Sequence, residues 1–308
     1  MRVLFVASLN RGSFAPFIVE QALALESAGC EVGFFGVEGR GVGGYLSNLS
    51  RLKSKIDRFE PDVVHAHYGL CGLLSGLQRK APVVTTYHGS DINDKSVLGF
   101  SRIAMRLSAY NIFVSERTRQ IASPSGRWSI VPCGINLEDY PEVPKDEARR
   151  LLGLDMDARY VLFSSGFDNE VKNYPLAAAA AACLPGMTLL ELKGYCRSQV
   201  NLIMRASDAM LMTSHTEGSP QVVKEALACG LPVVSVDVGD VAATIGGLEG
   251  CRIVGREPAL IAEALKAVCE DGRRIDGRGR LVEYGLSNDM VASKLMDIYG
   301  KVKDAWIH

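Results

Sequence analysis

The chain has 308 residues, of which 47% are hydrophobic and 22% are charged, and its formal net charge at pH 7 is -1. This composition excludes a disordered chain, and the length is sufficient for two domains that each bury a core. The near-neutral charge argues against a nucleic-acid-binding protein, so any anion site must be local.

The cysteines and the first residues bear on the compartment of the chain. None of the eight cysteines forms a C-x-x-C pair, and most lie in apolar runs, which is typical of free thiols in a reducing compartment. The first apolar run, "RVLFVA", is too short for a signal peptide and predicts a strand. No run approaches the roughly 18 to 20 apolar residues of a membrane span. We expect a cytoplasmic protein with at most peripheral contact at the inner membrane face.

Short apolar runs alternate with helical patterns along the whole chain. They predict strands at residues 2–7, 31–37, 62–67, 82–88, 111–115, 129–134, 159–166, 187–194, 208–214, 231–237 and 251–255. Because these runs lack polar alternation, both faces of each strand should be buried. The fold class is therefore predicted as α/β, with parallel, doubly wound sheets.

A charged segment with two prolines, residues 136–157, separates two halves of similar size. It predicts two Rossmann-like domains, residues 1–142 and 143–308, facing a central cleft lined by the carboxyl ends of both sheets. The last segment has apolar residues at helical spacing after Ser287 and Asn288, either of which suits an N-cap. We expect this helix, residues 289–308, to pack back on the N-terminal domain.

The segment "SHTEGSPQVVKEALACGLPVVS", residues 214–235, places Glu217 before a helix and Glu225 on its second turn. Ser219 suits the N-cap and Pro220 the first helical position, while Gly230 would end the helix. The N–H groups of the first turn, together with the helix dipole, predict a site for phosphate or another anion.

A carboxylate beside a phosphate would be repelled, so the two glutamates should bind something else. A carboxylate accepts hydrogen bonds only, and it can take one from each hydroxyl of a diol. Two diols that flank one diphosphate describe a nucleotide sugar. The helix start would then bind the diphosphate, and Glu217 and Glu225 would each bind one of the two flanking sugars.

At these residues the chain resembles the retaining GT-B glycosyltransferases of glycosyltransferase family 4. The Glu-x7-Glu spacing followed by "EALACGLPVVS" carries the resemblance, and "HAHYG", "TTYHGSDI", "IVPCGIN" and "GFDNEVKN" extend it over most of the chain. The resemblance implies the GT-B fold, with the donor on the second domain and the acceptor on the first.

The resemblance also implies roles for residues of the second half. Glu225 would hold the ribose hydroxyls, Glu217 the hydroxyls of the transferred sugar, and Lys172 would neutralise the departing diphosphate. Further donor contacts are implied at the end of one strand and at the helix start: Gly166, Gly218, Ser219, Pro220 and Gln221.

In the first half, His88 would lie against the donor sugar near the anomeric centre, and Gly12 would let the backbone approach the diphosphate. The family usually has arginine directly after the glycine at position 166, where this chain has Phe167. Arginine is the better bidentate phosphate ligand. Lys172 must therefore act alone or with another cation, such as Arg11 or Arg197.

The implied activity is metal-independent, retaining transfer of a sugar, without a cofactor, from a UDP- or GDP-sugar to a glycan, lipid-linked or small-molecule acceptor. Two alternatives stay open: a non-catalytic subunit that binds nucleotide sugars or glycans, and another GT-B enzyme such as a nucleotide-sugar epimerase.

Three further patterns favour ordinary structural roles. "GRGVGG", residues 39–44, predicts a flexible loop, and "DMD", residues 155–157, predicts a solvated turn rather than a metal-binding motif. His65 and His67 share one face of a strand, but without a third ligand nearby they predict a structural or cleft-lining pair.

Overall fold

The structure, a computed structural model, describes residues 1–307, the last of these by its backbone only. The chain forms two compact units. The first comprises Met1–Gly134 and the segment that begins at Leu286, and the second comprises Ile135–Gly285. Each unit is built around one fully parallel sheet.

The first unit contains a six-stranded sheet with the order β2-β1-β3-β4-β5-β6. The strands are β1 (Arg2–Ser8), β2 (Glu31–Val37), β3 (Val63–His67), β4 (Val83–Tyr87), β5 (Tyr110–Phe113) and β6 (Trp128–Ile130). The direction of winding reverses between β1 and β3, and ligands of such sheets bind beyond the strand ends at this switch point.

Helices cover both faces of this sheet. They are α1 (Pro16–Ser27), α2 (Gly41–Leu46), α3 (Leu49–Phe59), α4 (Gly69–Gly76), α5 (Ser90–Asn93), α6 (Lys95–Leu107), α7 (Glu116–Ala122) and α15 (Asn288–Ile307). The last helix packs on α1, and its Val291, Leu295 and Tyr299 share a buried cluster with Val3 and Phe5 of β1.

The second unit contains a five-stranded sheet with the order β11-β10-β9-β7-β8. Its strands are β7 (Arg159–Phe163), β8 (Met187–Glu191), β9 (Ala209–Met212), β10 (Val233–Val236) and β11 (Arg252–Val254). The switch point of this sheet lies between β7 and β9, so the loops after these two strands border the ligand crevice that the topology creates.

The helices of the second unit are α8 (Lys145–Leu152), α9 (Tyr174–Ala182), α10 (Arg197–Ala206), α11 (Gln221–Ala228), α12 (Val241–Ile245), α13 (Pro258–Asp271) and α14 (Gly277–Glu283). Two short 3-10 helices, Leu137–Asp139 and Glu170–Lys172, complete the unit. Among the described helices, none is both long enough and apolar enough to cross a lipid bilayer.

All eleven predicted strands are present, and the predicted α/β class with two doubly wound parallel sheets is confirmed. Several strands end earlier than predicted, because the apolar run continues into a loop that leaves the sheet. The predicted flexible loop at residues 39–44 is wrong, since helix α2 begins at Gly41. The side chain of Asn10 bonds both the N–H and the carbonyl of Gly39, at 2.9 and 2.8 Å, and fixes the entry to this helix.

Candidate functional site

The two loops at the switch point of the second sheet are tied to each other. The hydroxyl of Thr213, just beyond β9, donates to the carbonyl of Lys172 at 3.0 Å. The backbone N–H of His215 donates to the carbonyl of Val171 at 2.8 Å. The 3-10 helix Glu170–Lys172 is thereby fixed against the loop that carries Glu217.

This arrangement brings Lys172 and Glu217 together, although they are 45 residues apart in sequence. The Nζ atom of Lys172 donates to Oε1 of Glu217 at 2.7 Å. The two side chains are 18% and 13% exposed. A cation and a hydrogen-bond acceptor are therefore held side by side in a partly shielded place, where solvent screens charge less than at an open surface.

Helix α11 begins one residue later than the sequence indicates. Pro220 is the N-cap rather than the first helical residue, because its ψ of 118° is extended. The predicted capping role of Ser219 is therefore wrong, and its hydroxyl donates to Oδ2 of Asp240 at 2.6 Å instead. The end of the helix agrees with the prediction, since Gly230 follows it with a φ of +64°.

A buried lysine lies beneath this helix start. Lys224 is 1% exposed, and its Nζ donates to Oγ of Ser219 and to Oε1 of Gln221, each at 2.9 Å. Burial raises the pKa of Asp240, while the charge of Lys224 acts to lower it. Sequence reasoning missed Lys224 and Asp240, because nothing in their spacing marks them as partners.

The loop after β10 packs directly against the loop of Glu217. Gly239 has a φ of +57°, and a Cβ at this position would lie 2.7 Å from the carbonyl oxygen of Gly218 and 3.1 Å from Cβ of Glu217. Only glycine fits both the backbone angle and the space. Gly239 thus sets how closely the two loops approach and where Glu217 stands.

Glu225, eight residues after Glu217, is held by residues from two other elements. Its Oε1 lies 3.6 Å from Nη1 of Arg197, at the start of α10. Burial raises the pKa of Glu225, while Arg197 and a hydrogen bond from Tyr140 act to lower it. Arg197 also donates to the hydroxyl of Tyr140. Sequence reasoning missed Tyr140, because a tyrosine in a charged connecting segment carries no signal of its own.

Phe167 stands where the family resemblance implies an arginine, and its ring is packed against neighbouring side chains. The ring of Phe167 stacks on Tyr174 with centroids 4.1 Å apart, at the edge of the core of the unit. Its backbone N–H donates to the carboxylate of Glu191 at 2.7 Å. A Cβ on Gly166 would meet Oδ1 of Asp168 at 2.7 Å, so the loop is close-packed here.

The predicted site residues of the first unit lie beyond the ends of its strands. Gly12, in the loop after β1, has a φ of +81°. His88 directly follows β4, and both of its ring nitrogens have neighbours: Nδ1 of His67 lies 3.1 Å from Nε2, and Sγ of Cys133 lies 3.6 Å from Nδ1. His67 and His65 are fully buried and stack with centroids 4.5 Å apart.

A buried carboxylate fixes the backbone at His88. Asp91 accepts from the backbone N–H groups of Gly69 at 2.9 Å, and of His88 and Gly89 at 3.0 Å each. Burial raises the pKa of Asp91 to about 6, although these hydrogen bonds act to lower it. A cavity of about 560 Å³ adjoins this carboxylate, and its polar lining includes Asn10, Arg11, Tyr45, Ser90 and Asp94.

The described residues contain no cluster of three or more histidine, cysteine, aspartate or glutamate side chains that could hold a metal ion. The Asp155–Asp157 segment is an exposed turn in which the N–H of Asp157 donates to Oδ1 of Asp155 at 2.9 Å, as predicted. The second unit brings Lys172 to Glu217, and its Lys224 joins Ser219 to Gln221. Gly12 and His88 belong to the first unit.

Two family models match the chain. The model "Glycosyltransferase Family 4" matches residues 25–139, and the model "Glycosyl transferases group 1" matches residues 145–271. The two matches together span most of both units.

Two relatives are each 27% identical to the chain. One is TuaC of Bacillus subtilis, a glycosyltransferase provisionally assigned to teichuronic acid biosynthesis, over 67% of this chain. The chain spans 60% of the length of that relative. The other is the D-inositol 3-phosphate glycosyltransferase of Actinosynnema mirum, over 85% of this chain and 78% of the relative.

Solved structures share the fold at lower identity. Sucrose-phosphate synthase of Thermosynechococcus elongatus has a TM-score of 0.85 at 17% identity, covering 99% of this chain and 100% of that one. HepE of Anabaena, solved in complex with UDP-glucose, has a TM-score of 0.77 at 15% identity, covering 98% and 100%. These similarities show the GT-B fold.

Proposed function

Because the chain belongs to glycosyltransferase family 4, with a group 1 transferase domain in its second unit, we propose that it transfers a sugar from a nucleotide diphosphate sugar to an acceptor hydroxyl with retention of configuration. The observation that carries the proposal is the contact between Lys172 and Glu217 at the switch point of the second sheet. Ligands of such sheets bind at the switch point, so the pair stands where a donor would lie.

The donor would be bound by the second unit. Glu217 accepts hydrogen bonds from the transferred sugar, and Glu225 accepts them from the ribose. The diphosphate lies near the start of α11, at Gly218, Ser219, Pro220 and Gln221, where the helix dipole favours negative charge. The UDP-glucose complex of HepE, which has the same fold, supports a uridine donor, and a GDP-sugar is the second choice.

Lys172 would carry the chemical step by stabilising the leaving diphosphate. Negative charge builds up on that group as the glycosidic bond breaks, and a fixed cation stabilises it more in the transition state than in the ground state. In the retaining step, the acceptor hydroxyl attacks the face from which the diphosphate departs, and a diphosphate oxygen takes the hydroxyl proton. This chemistry needs no enzymic nucleophile and, in the proposal, no metal ion.

The first unit would bind the acceptor in the 560 Å³ cavity beside Asp91. Its lining combines hydroxyl, amide, carboxylate and guanidinium groups with the rings of Tyr45, Tyr68 and Phe14, a mixture suited to a polar ring compound. Gly12, after β1, and His88, after β4, are the donor contacts proposed for this unit. A glycan, a lipid-linked sugar and a small polyol are all acceptors of this kind.

One observation favours a second candidate, a subunit that binds nucleotide sugars without transferring them. Phe167 occupies the place of an arginine that would bind the diphosphate, and its ring packs on Tyr174 instead. Such a protein would bind the donor but lack part of the charge that stabilises the leaving group.

The test has two stages. First, thermal-shift measurements with UDP-, GDP-, ADP- and dTDP-sugars identify the donor, because a ligand that binds the native state raises its melting temperature. Second, the donor is incubated with a panel of glycan, polyprenyl-phosphate-sugar and inositol acceptors, with and without EDTA. Transfer that persists in EDTA and gives a product of unchanged anomeric configuration supports the proposal.

The outcomes separate the candidates. Donor binding without transfer to any acceptor would favour the non-catalytic subunit. Conversion of the donor sugar to its epimer, without an acceptor, would show an epimerase. Inversion at the anomeric carbon, or loss of activity in EDTA that Mg²⁺ restores, would contradict the proposed mechanism.

A further inference from the structure

Three histidines form a continuous series at the centre of the first unit. The ring of His65 stacks on that of His67, and the ring of His67 stacks on that of His88 with centroids 5.3 Å apart. His65 is bonded at both nitrogens, by the hydroxyl of Tyr299 at 2.6 Å and that of Thr86 at 2.7 Å. The series therefore runs from helix α15, through β3, to the end of β4.

His65 and His67, the two fully buried histidines of this series, are neutral. Burial lowers the pKa of His65 to about 3, and burial and the neighbouring rings lower the pKa of His67 well below its usual value. A neutral imidazole carries one N–H and one bare nitrogen. His67 must therefore place its single proton either on Nδ1, toward His88, or on Nε2.

The surroundings of His67 decide between these two positions. Its Nε2 is buried and has no hydrogen-bond partner among the described residues. A proton on Nε2 would leave a buried N–H without an acceptor, which native proteins rarely tolerate, whereas a bare nitrogen is less unfavourable. A proton on Nδ1 points instead at Nε2 of His88, 3.1 Å away.

We propose that His67 is a positioning residue that donates its Nδ1–H to Nε2 of His88 and so holds His88 neutral, with its own proton on Nδ1. The proton of His88 then faces Sγ of Cys133 at 3.6 Å. The catalytic consequence rests on the proposed function, in which His88 contacts the donor sugar. The tautomer itself is a property of the first unit alone.

In this arrangement, Nε2 of His88 already accepts a hydrogen bond. A second proton would have to enter at Nε2, where it would meet the N–H of His67. The groups that face His88 also include the rings of Phe17 and Tyr68, with centroids 4.9 and 4.6 Å away, and the carboxylate of Asp91, which accepts from its backbone N–H. Asp91 is the one group among these whose charge would favour a protonated His88.

Nuclear magnetic resonance of the full chain, labelled with ¹⁵N-histidine, tests the tautomer without any substrate. The sequence contains five histidines, so each can be assigned from a single substitution. The expected result at pH 7.5 is a His88 ring with a protonated Nδ1 and a bare Nε2, the tautomer that free histidine disfavours. A His88 ring protonated at Nε2, or at both nitrogens, would overturn the proposal.

Two variants of His67 then test its effect on the reaction. His67→Asn keeps an N–H donor near the position of Nδ1, whereas His67→Leu removes it. In His67→Leu, we expect His88 to leave this tautomer. The kcat should fall about tenfold, the equivalent of one hydrogen bond, with little change in the KM of the donor. His67→Asn should restore the tautomer and most of the kcat.

A structural role alone predicts a different pattern. If His67 only fills space, the leucine variant should keep the tautomer and the kcat better than the asparagine variant, and this result would overturn the proposal. Tyr299→Phe serves as the control, because it disturbs the same series at His65 and should leave the His88 tautomer unchanged. If the tautomer is found but no sugar is transferred, the proposed function fails and the placement of the proton stands.

Discussion

Nζ of Lys172 lies 2.7 Å from Oε1 of Glu217, and neither side chain is more than 18% exposed. The pair joins the two loops at the switch point of the second sheet. In the proposed reaction, the lysine faces the leaving diphosphate and the glutamate faces the transferred sugar, so the two act on opposite sides of the bond that breaks.

Lys172→Ala should therefore lower kcat about 100- to 1000-fold, the range found when one fixed group that stabilises transition-state charge is removed. Lys172→Arg, which keeps the cation, should lose less. Lys80→Ala is a matched control, because Lys80 also pairs with a carboxylate, Asp57, but does so at the surface of the first unit. Initial rates at saturating donor measure the effect, and an unchanged kcat in Lys172→Ala would refute the assigned role.

Glu225→Gln should weaken donor binding about tenfold to a hundredfold, because hydrogen bonds to a charged acceptor are replaced by neutral ones. Isothermal titration with the nucleoside diphosphate alone isolates the ribose contact from the sugar contact. Equal affinity of the two proteins for the nucleotide would show that Glu225 does not bind the ribose.

The same substitution should raise stability, and the sign follows from the pKa. Burial raises the folded-state pKa of Glu225 above its usual 4.5, so the folded chain binds this proton more tightly than the unfolded chain does. Ionisation of Glu225 therefore destabilises the folded chain. This destabilisation is complete above the raised pKa and absent below 4.5. Glu225→Gln should have the higher melting temperature at pH 8, and the difference should shrink as the pH falls toward 4.5.

Gly239→Ala should displace Glu217, since the new Cβ would lie 2.7 Å from the carbonyl oxygen of Gly218. Gly247→Ala is a close control: its φ of +72° is also positive, but a Cβ there meets nothing within 4 Å. Both variants should lose about 1 to 2 kcal/mol of stability to the left-handed backbone. Only Gly239→Ala should also raise the dissociation constant of the donor about tenfold, and equal donor affinities would contradict this role.

Tyr299→Phe should lower the free energy of unfolding of the first unit by about 1 to 3 kcal/mol, because it leaves Nδ1 of the buried His65 without its partner. Tyr110→Phe, in the same unit, removes a hydroxyl that pairs with the hydroxyl of Ser129 at 2.6 Å and leaves no buried histidine nitrogen without a partner, so it should cost less. Denaturant titration followed by circular dichroism compares the two. Equal losses would mean that the bond to His65 contributes nothing.

The central strands were predictable because a strand covered on both faces needs a largely apolar run, as in β1, β9 and β10. The expectation that both faces of every strand are buried is wrong for the edge strands β6, β8 and β11, whose residues are exposed or half-buried. The positions at which the strands end were not predictable. Residues such as Ser164 and Thr213 belong to the same apolar-looking segments, yet the chain leaves the sheet at Phe163 and Met212 to build the loops of the site. Apolar patterning reports burial, and these loop residues are buried as well.

The candidate site was predictable where the spacing of residues along the sequence indicates their role, as with Glu217 and Glu225. It was not predictable where partners meet through sheet register. His67 reaches His88 because β3 and β4 pair in parallel, with His67 opposite Thr86, so a contact over 21 residues depends on a register that no short pattern encodes. The capping role of Ser219 failed for a related reason, because Asp240 comes from a separate loop.

Helix α15 also has a consequence for the order in which the chain can fold during synthesis. Val291, Leu295 and Tyr299 complete the core around β1, yet they are translated after every residue of the second unit. The first unit must therefore keep an unfinished apolar surface until α15 has been made. A chaperone that shields nascent chains should accordingly bind the first 134 residues for longer than the 151 that follow.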